Sequence, residues 1–437
     1  MARWVCTGQP QHILDPALGQ GVFIDAIDLH LVCQPTIAAS VIVDACEIDE
    51  PLLRQFKREH RRPTVRCRRA DFVTTRFRRK YDAVIANPPY VRHHAMRYDD
   101  ATLRRFDRIC GRRLSRMTNL YGLFLIKIWT LLAARGRAAV ITPAEWLNAD
   151  FGAGIKAYLL EQNAIDAIVH FDHAAEVFEG TLTTAAITLL RRDRGRDELI
   201  RLCKVDNADA LRATTVERGK PVLPGRLDPN AKWTPLFDGN ADATGKTKPS
   251  ASRHTLGEIV RCNRGIATGA NDYFALRPSE RQHWGIDPRD LRVCVTKAWQ
   301  IPGDGLTDAD VQRLIDEDQR IYLLHPRGRL TAAVKRYLKE GVRRGIDKRY
   351  LPSHRPVWYV PEHREPAPLL VSVFARGRFR FALNKAGVLN LTAFHGIYPL
   401  VSGRSCIKAI FEYVSSAQAR SALRSCRRIY ADGLLKL

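Results

Sequence analysis

The first part of the chain, residues 1–195, predicts an α/β fold: an open, doubly wound parallel sheet. Two observations carry this. Short apolar segments alternate with segments of helical period, and the apolar segments end on glycine, an acid or proline. "HILDPALGQGVFIDAIDLHL" reads as strand, glycine turn and helix. "SVIVDACEID" is a second strand ending in acids, "TVRCRRADF" a third, and "YDAVIANPP" a fourth that stops on two prolines. "NLYGLFLIKIWTLLAARG" has apolar residues at helical spacing and closes on glycine. "RAAVITP" is a fifth strand. "AEWLNADFGAGIKAYLLEQN" reads as a glycine-interrupted helix, and "AIDAIVHF" and "TLTTAAITLL" add two β-rich segments.

After "RRDRGRDE" the composition shifts. Residues 196–254, rich in Asp, Asn, Gly, Pro, Thr and Ser, read as a linker or irregular excursion. Residues 255–437 mix helical stretches such as "DADVQRLIDEDQRIYLL" with β-like runs such as "APLLVSVFARGRFRFAL", which predicts an α+β domain. No repeat or low-complexity tract is evident.

Composition narrows the function. Of 437 residues 45% are hydrophobic and 27% charged, which suits a packed globular protein. No apolar run approaches the ~18 residues of a membrane span, and the first residues lack a secretion signal. Ten scattered cysteines without close pairs argue against a zinc ribbon or a disulfide framework. The expectation is a cytoplasmic protein without a membrane association. His93 and His94 are read as loop, and no metal site is expected. The formal charge of +24, mostly arginine, points to a polyanion, with nucleic acid the first candidate.

The strand ends then specify a small ligand. "LDPALGQGVF" places Asp15 at a strand end and Gly19 and Gly21 in the turn after it. Glycine there lets a ligand approach the backbone beside a helix start. Glu47 ends the second strand, where a carboxylate can bind two ribose hydroxyls; Asp44 is read as structural. Asp71 and Phe72 follow the third strand. Asp71 suits an exocyclic amine, and Phe72 the face of an adenine ring. The composite fits a cofactor containing adenosine. The turn lacks the third glycine of a dinucleotide fingerprint, since Phe23 and Ile24 stand there, and no phosphate-binding loop is present. S-adenosylmethionine fits better than NAD.

"NPPY" (Asn87, Pro88, Pro89, Tyr90) follows the fourth strand on the same sheet edge. An amino group on an aromatic base is a poor nucleophile, because its lone pair is delocalised into the ring. An asparagine oxygen and the next carbonyl can accept hydrogen bonds from it and turn its lone pair toward a methyl donor. Proline fixes the carbonyl direction, and Tyr90 offers a stacking face. This chemistry requires no covalent intermediate.

With "DPALGQG", "EID", "ADF" and "NPPY" in this order, the chain resembles the γ class of amino-methylating DNA methyltransferases, the TaqI-like adenine-N6 enzymes in particular. "NLYGLFLIKIWTLLAARGRAAVITPAEWLNADFGAGIKAYLL" is similar to that family along its length. "RGIATGANDYF", "VWYVP" and "LNLTAFHGIYPL" resemble its target-recognition domains. The resemblance implies a Rossmann-like methyltransferase sheet followed by a target-recognition domain. It implies a donor site lined by Asp15, Gly19, Gly21, Glu47, Ile48, Asp71 and Phe72. It also implies a flipped adenine held by Asn87, Pro88, Pro89 and Tyr90. "EVFEGTLTTAAITLL" resembles the later motif whose phenylalanine, here Phe178, stacks on the extruded base; a core aromatic before a strand is an equal reading.

The implied partner is double-stranded DNA, bound by a monomer, with arginines of "VRHHAMRYDDATLRRFDRICGRRLSR" meeting phosphates. "NRGIATGAND" reads as a groove-facing loop. A restriction endonuclease or other subunit is a further expected partner. Relatives usually carry a longer N-terminal segment beside the methionine part of the donor. Only twelve residues precede Ile13 here, so a misassigned start, a fragment or a complementing subunit is expected. Two other functions stay open: methylation of RNA bases or protein glutamine, and a DNA-binding remnant without activity.

Overall fold

The structure, a computed structural model, describes residues 1–31, 40–60, 62–171, 184–205, 216–237, 255–376, 379–400, 403–426, 428–429 and 434–436. Phe178 lies outside them. Described residues between 1 and 237 form one compact unit, and those from 255 to 429 with 434–436 form another.

In the first unit the order is α1 (Ala2–Cys6), β1 (His12–Asp15), α2 (Val22–Leu31), β2 (Ile42–Glu47), α3 (Glu50–Glu59), β3 (Val65–Arg69) and β4 (Tyr81–Ala86). Then come α4 (Asp100–Cys110), α5 (Leu120–Leu131), β5 (Leu132–Pro143), α6 (Gly152–Glu161), β6 (Ile165–Phe171), β7 (Ala185–Arg191), β8 (Ile200–Val205) and β9 (Lys220–Val222). They build one sheet in the order β3-β2-β1-β4-β5-β7-β6-β8-β9. The strands from β3 to β5 are mutually parallel, and β7 runs antiparallel to β5 and β6. Strand order therefore reverses at β1, whose neighbours are β2 and β4. In such sheets ligands bind beyond the strand carboxyl ends at that reversal.

Helices cover both faces of the sheet. Ile13, Ala83 and Ile85 pack with Val5 of α1, Ile24 and Ile27 of α2, and Leu53 and Phe56 of α3. Leu14, Val84 and Ala86 pack with Phe106 of α4 and with α5 and α6. A strand buried on both sides reads as an apolar run, which is why β4 was legible as "YDAVIA". Helix α5 is buried nearly all round, as its sequence, apolar apart from Lys127 and Thr130, requires. A side chain at Gly122 would come within 2.6 Å of Ile155, so glycine sets the close approach of α5 and α6. Local signals start the other helices: Asp49 caps α3 through the Leu52 amide, and Asp99 caps α4 through the Thr102 amide.

Two expectations change. The sheet is mixed rather than wholly parallel, because β7 enters antiparallel between β5 and β6. In the stretch read as a linker, the described residues 196–205 and 216–237 belong to the first unit: β8 and β9 extend the sheet, and Leu227, Trp233 and Leu236 are buried. Polar composition concealed widely spaced apolar anchors. Trp233 is fully buried, its amide donates to Leu147 O (3.0 Å), and its indole N–H donates to Asp228 O (2.8 Å). The buried Lys156 lies 5.3 Å from its ring centroid and donates to Ala231 O (2.6 Å) and Leu147 O (3.2 Å). Burial lowers the Lys156 ammonium to about 8.

The second unit is α+β. β10 (Val260–Arg264), β11 (Ala275–Leu276), β12 (Leu291–Val295), β13 (Gly305–Leu306), β14 (Tyr322–Leu324), β15 (Leu369–Ser372), β16 (Phe374–Arg376), β17 (Phe381–Asn384), β18 (Leu389–Asn390) and β19 (Phe394–Pro399) follow in order. One sheet runs β10-β19-β15-β17-β13 and another β11-β14-β12-β18. A helix over Ala332–Arg343, here α7, packs Val334, Tyr337, Leu338 and Gly341 inward. Tyr337 stacks on Tyr273 at 4.7 Å, and each hydroxyl donates to the other's carbonyl (2.7 and 3.0 Å). Among the described residues no helix is long and apolar enough to cross a membrane.

Replacing Trp233 by Ala is expected to lower the unfolding free energy by about 3–5 kcal/mol. Denaturant unfolding of the full chain measures it. A loss of under about 1 kcal/mol, the range of an exposed substitution, would mean the segment is a tether after all.

Candidate active site

The site is assembled from the carboxyl ends of β1, β2, β3 and β4. After β1 the chain turns through Gly19 and Gly21, both at positive φ (55° and 85°). A side chain at Gly21 would meet the Phe56 ring of α3 at 2.2 Å, whereas the space beside Gly19 is open. Gly21 therefore serves packing and conformation together, and Gly19 leaves the turn approachable.

Asp15 is fully buried. Its Oδ1 accepts the Ala17 amide (3.1 Å), and Oδ2 has no hydrogen-bond partner among the described residues. Burial raises its carboxyl to about 7; the Ala17 bond opposes this and the nearby Glu47 charge adds to it. A buried polar atom without a partner calls for a donor from elsewhere.

Glu47 ties the strand ends together. Its Oε2 accepts the Gly19 amide (2.8 Å), and its Oε1 accepts those of Ile48 (2.8 Å) and Asp49 (2.9 Å). A carboxylate offers about four acceptor sites. Three are filled, so Oε2 keeps one, fewer than the expected pair of ribose hydroxyls would need. Beside it Ile48 is 63% exposed, a free apolar face. Asp44 accepts the Tyr81 hydroxyl (2.8 Å), the structural role expected of it.

The β3 end is locked to β2 by the Ala70 amide on Glu47 O (2.9 Å). Asp71 Oδ1 accepts the Val73 amide (2.8 Å) and the Tyr98 hydroxyl (3.2 Å). Phe72 differs from expectation. It is 2% exposed and tilted against Phe124 (4.6 Å) and Phe77 (5.5 Å), packed among core aromatics rather than presented at the surface. Its apolar surface is worth more against α5 than in a solvent-facing cleft.

At the end of β4, Asn87 and Pro89 are exposed, Pro88 is buried and Tyr90 is half-buried. Burial raises the Tyr90 phenol, so it stays neutral near pH 7. The loop beyond is held by the start of α5: the Leu120 amide donates to Val91 O (3.1 Å), and the buried Asn119 accepts the His93 amide (3.1 Å). The structure thus brings Asp15, Gly19, Gly21, Glu47, Ile48, Asp71 and Asn87–Tyr90 to one edge of the sheet, and it removes Phe72 to the core.

Sequence reasoning missed Tyr98, which joins the loop after "NPPY" to Asp71, and Asn119 and Lys127 of the α5 segment. Tyr98 carried no signal in sequence. Lys127 did: it is a lone cation in an otherwise apolar helix.

Two family models match the chain: "Eco57I restriction-modification methylase" over residues 46–178, and "Type II methyltransferase M.Eco57I, C-terminal domain" over residues 230–437. The chain is 31% identical to Type II methyltransferase M.AccI of Acinetobacter calcoaceticus over 449 aligned residues, covering 100% of this chain and 81% of that protein. The chain belongs to the type II restriction–modification methyltransferase family. It is also 28% identical to Type II methyltransferase M.XamI of Xanthomonas campestris pv. amaranthicola, over 91% of this chain and 74% of that one. Among solved structures it is similar to the Type IIL restriction–modification enzyme MmeI in complex with DNA. There the TM-score is 0.60 at 12% identity, with 99% of this chain and 62% of that chain covered, a likeness of fold. The family members the chain resembles are DNA methyltransferases, and the sheet is that of a methyltransferase.

Gly21→Ala is expected to destabilise by about 2–5 kcal/mol, the sum of left-handed strain and overpacking against Phe56. Gly19→Ala, with strain alone, should cost about 1–2 kcal/mol. Parallel denaturant titrations compare them, and equal costs would refute the packing role of Gly21.

Proposed function

We propose that this chain transfers a methyl group from S-adenosylmethionine to N6 of an adenine flipped out of double-stranded DNA. It would act as the modification component of a restriction–modification or phage-defence system. The observation that carries the reading is the placement of exposed Asn87 at the carboxyl end of β4, next to β1 and its glycine turn.

The residues present fit the donor. Asp15 Oδ2 needs a hydrogen-bond donor, Glu47 Oε2 retains one acceptor site for a hydroxyl, and Ile48 offers an apolar face. Bound there, S-adenosylmethionine would supply a methyl group on a cationic sulfur. Asn87 Oδ1 and the Pro88 carbonyl then accept the two hydrogens of the amino group, drawing its lone pair out of the ring and toward that methyl. Tyr90 stacks on the base, whose extrusion costs a few kcal/mol. Pro88 and Pro89 restrict the backbone so that the two acceptors are set before the base arrives.

The grip on DNA falls to exposed cations. Arg92, Arg97, Arg108 and Arg113 follow the catalytic loop in sequence and are exposed. In the second unit, α7 turns Lys335, Arg336 and Lys339 outward, opposite its buried stripe. Helical neighbours three or four residues apart lie about 5–6 Å apart, a spacing suited to successive phosphates. The loop around "NRGIATGAND" is more packed than its composition implied. Gly265 and Thr268 are buried, and Arg355 donates to Ala267 O (2.7 Å) and Thr268 O (2.9 Å), so the loop exposes Arg264, Gly269, Asn271 and Asp272.

Transfer of label from radiolabelled S-adenosylmethionine, followed by nucleoside analysis, tests the reading. Label is expected in N6-methyladenine of duplex DNA, and label confined to cytosine, RNA or protein would refute it. Asn87→Ala should lower transfer at least about a hundredfold, with donor affinity by calorimetry changed less than about threefold. Reversing Lys335, Arg336 and Lys339 to Glu should weaken DNA binding and flatten its salt dependence by about 0.9 in slope for each phosphate left unneutralised; an unchanged slope would remove α7 from the interface.

A further inference from the structure

Lys127 lies in the middle of α5, 7% exposed, in a helix that is otherwise apolar. Its Nζ donates to three carbonyls of one loop: Phe72 O (2.5 Å), Val73 O (3.0 Å) and Thr75 O (2.5 Å). An ammonium has three N–H donors and no acceptor, so the three bonds exhaust it. The Phe72 and Phe77 rings lie 5.0 and 5.3 Å from the nitrogen. Arg105 of α4 also donates to Val73 O. Burying a cation is costly unless its hydrogens are all satisfied, and a methionine would fill the same space without that cost. The cation must therefore accomplish something that packing does not.

What it holds is the loop after β3. Carbonyls of residues 72, 73 and 75 turn inward to Lys127, while the Val73 and Thr75 amides turn to Asp71 Oδ1 and Asp71 O (2.8 and 3.0 Å). The loop thus has a polar inner side fixed by one nitrogen and an Asp71 carboxylate presented at the strand end. Among the described residues the Asp71 carboxylate bonds only through Oδ1, to Val73 and Tyr98. Its Oδ2 makes no bond to them.

We propose that Lys127 is a positioning residue for the methyl donor: by gathering three carbonyls of the loop it sets the direction in which Asp71 meets the donor's adenine end. It touches neither donor nor base. The inference rests on the reading of Asp71 as a donor contact, and the experiment separates the two.

The full-length chain is assayed as wild type, Lys127→Met, Asp71→Ala and the double variant. Steady-state kinetics are run against S-adenosylmethionine and against duplex DNA, and thermal unfolding checks the fold. Lys127→Met is expected to raise KM for S-adenosylmethionine about tenfold, with kcat at saturating donor and KM for DNA within about threefold. Asp71→Ala should raise the same KM at least as much, and the double variant should be no worse than Asp71→Ala, because Lys127 acts through Asp71. An additive double variant, a fall in kcat as large as the KM effect, or an unchanged KM in Lys127→Met would overturn the proposal. An unchanged KM in Asp71→Ala would instead remove the donor-contact reading beneath it. If Lys127→Met does not fold, Lys127→Gln, which keeps two donors without the charge, should still raise the donor KM about three- to tenfold; no rise would overturn the proposal.

Discussion

The rest of the site depends on one carboxylate at the end of β2. Glu47 receives the amides of Gly19, Ile48 and Asp49, and its own carbonyl receives that of Ala70. One residue thereby joins the turn after β1, the start of α3 and the end of β3. Gly19, at positive φ, turns the chain onward toward α2 while its N–H stays on Glu47. An acid there is needed before any ligand arrives, because three backbone donors at the sheet edge would otherwise have to find water.

From that anchor a continuous set of bonds runs across the edge. Ala70 leads to Asp71, Asp71 to Tyr98, and the segment bearing Tyr98 follows directly from Tyr90 and Val91, which α5 holds through Leu120 and Asn119. Helix α5 thus supports the third and fourth strand ends from below, Lys127 under one and Asn119 under the other. The proposed chemistry works by orientation, without a covalent intermediate, and demands this kind of rigidity. Under that proposal an asparagine oxygen a fraction of an ångström out of line would accept the base hydrogen without turning the nitrogen lone pair.

Much of this was legible in sequence, for physical reasons that also explain what was not. β1, β4 and the second half of β5 are buried on both faces and read as apolar runs; the glycines at positions 19 and 21 announced the turn because few other residues take positive φ. Asp15, Glu47, Asp71 and Asn87 stood at strand ends, where polarity has no packing explanation. Phe72 misled because sequence position says where a residue lies on the chain and nothing of which way its ring turns; α5 claimed it. The antiparallel β7 looks like any apolar strand, since burial on both faces erases direction. Lys127 was passed over because its partners are backbone carbonyls, which no residue type advertises.

The anchoring of Trp233 bears on modular exchange within the family. The C-terminal family model begins at residue 230, yet residues 230–237 lie on the first unit, with Trp233 sealed beneath Lys156 and Leu147. A recombination joint placed at that boundary would pair one parent's tryptophan with another parent's cradle. A joint past Phe237 would keep Trp233 with its own cradle. C-terminal halves can therefore be traded between relatives with Trp233 still in its own cradle only if the incoming half begins at least eight residues later than sequence similarity indicates.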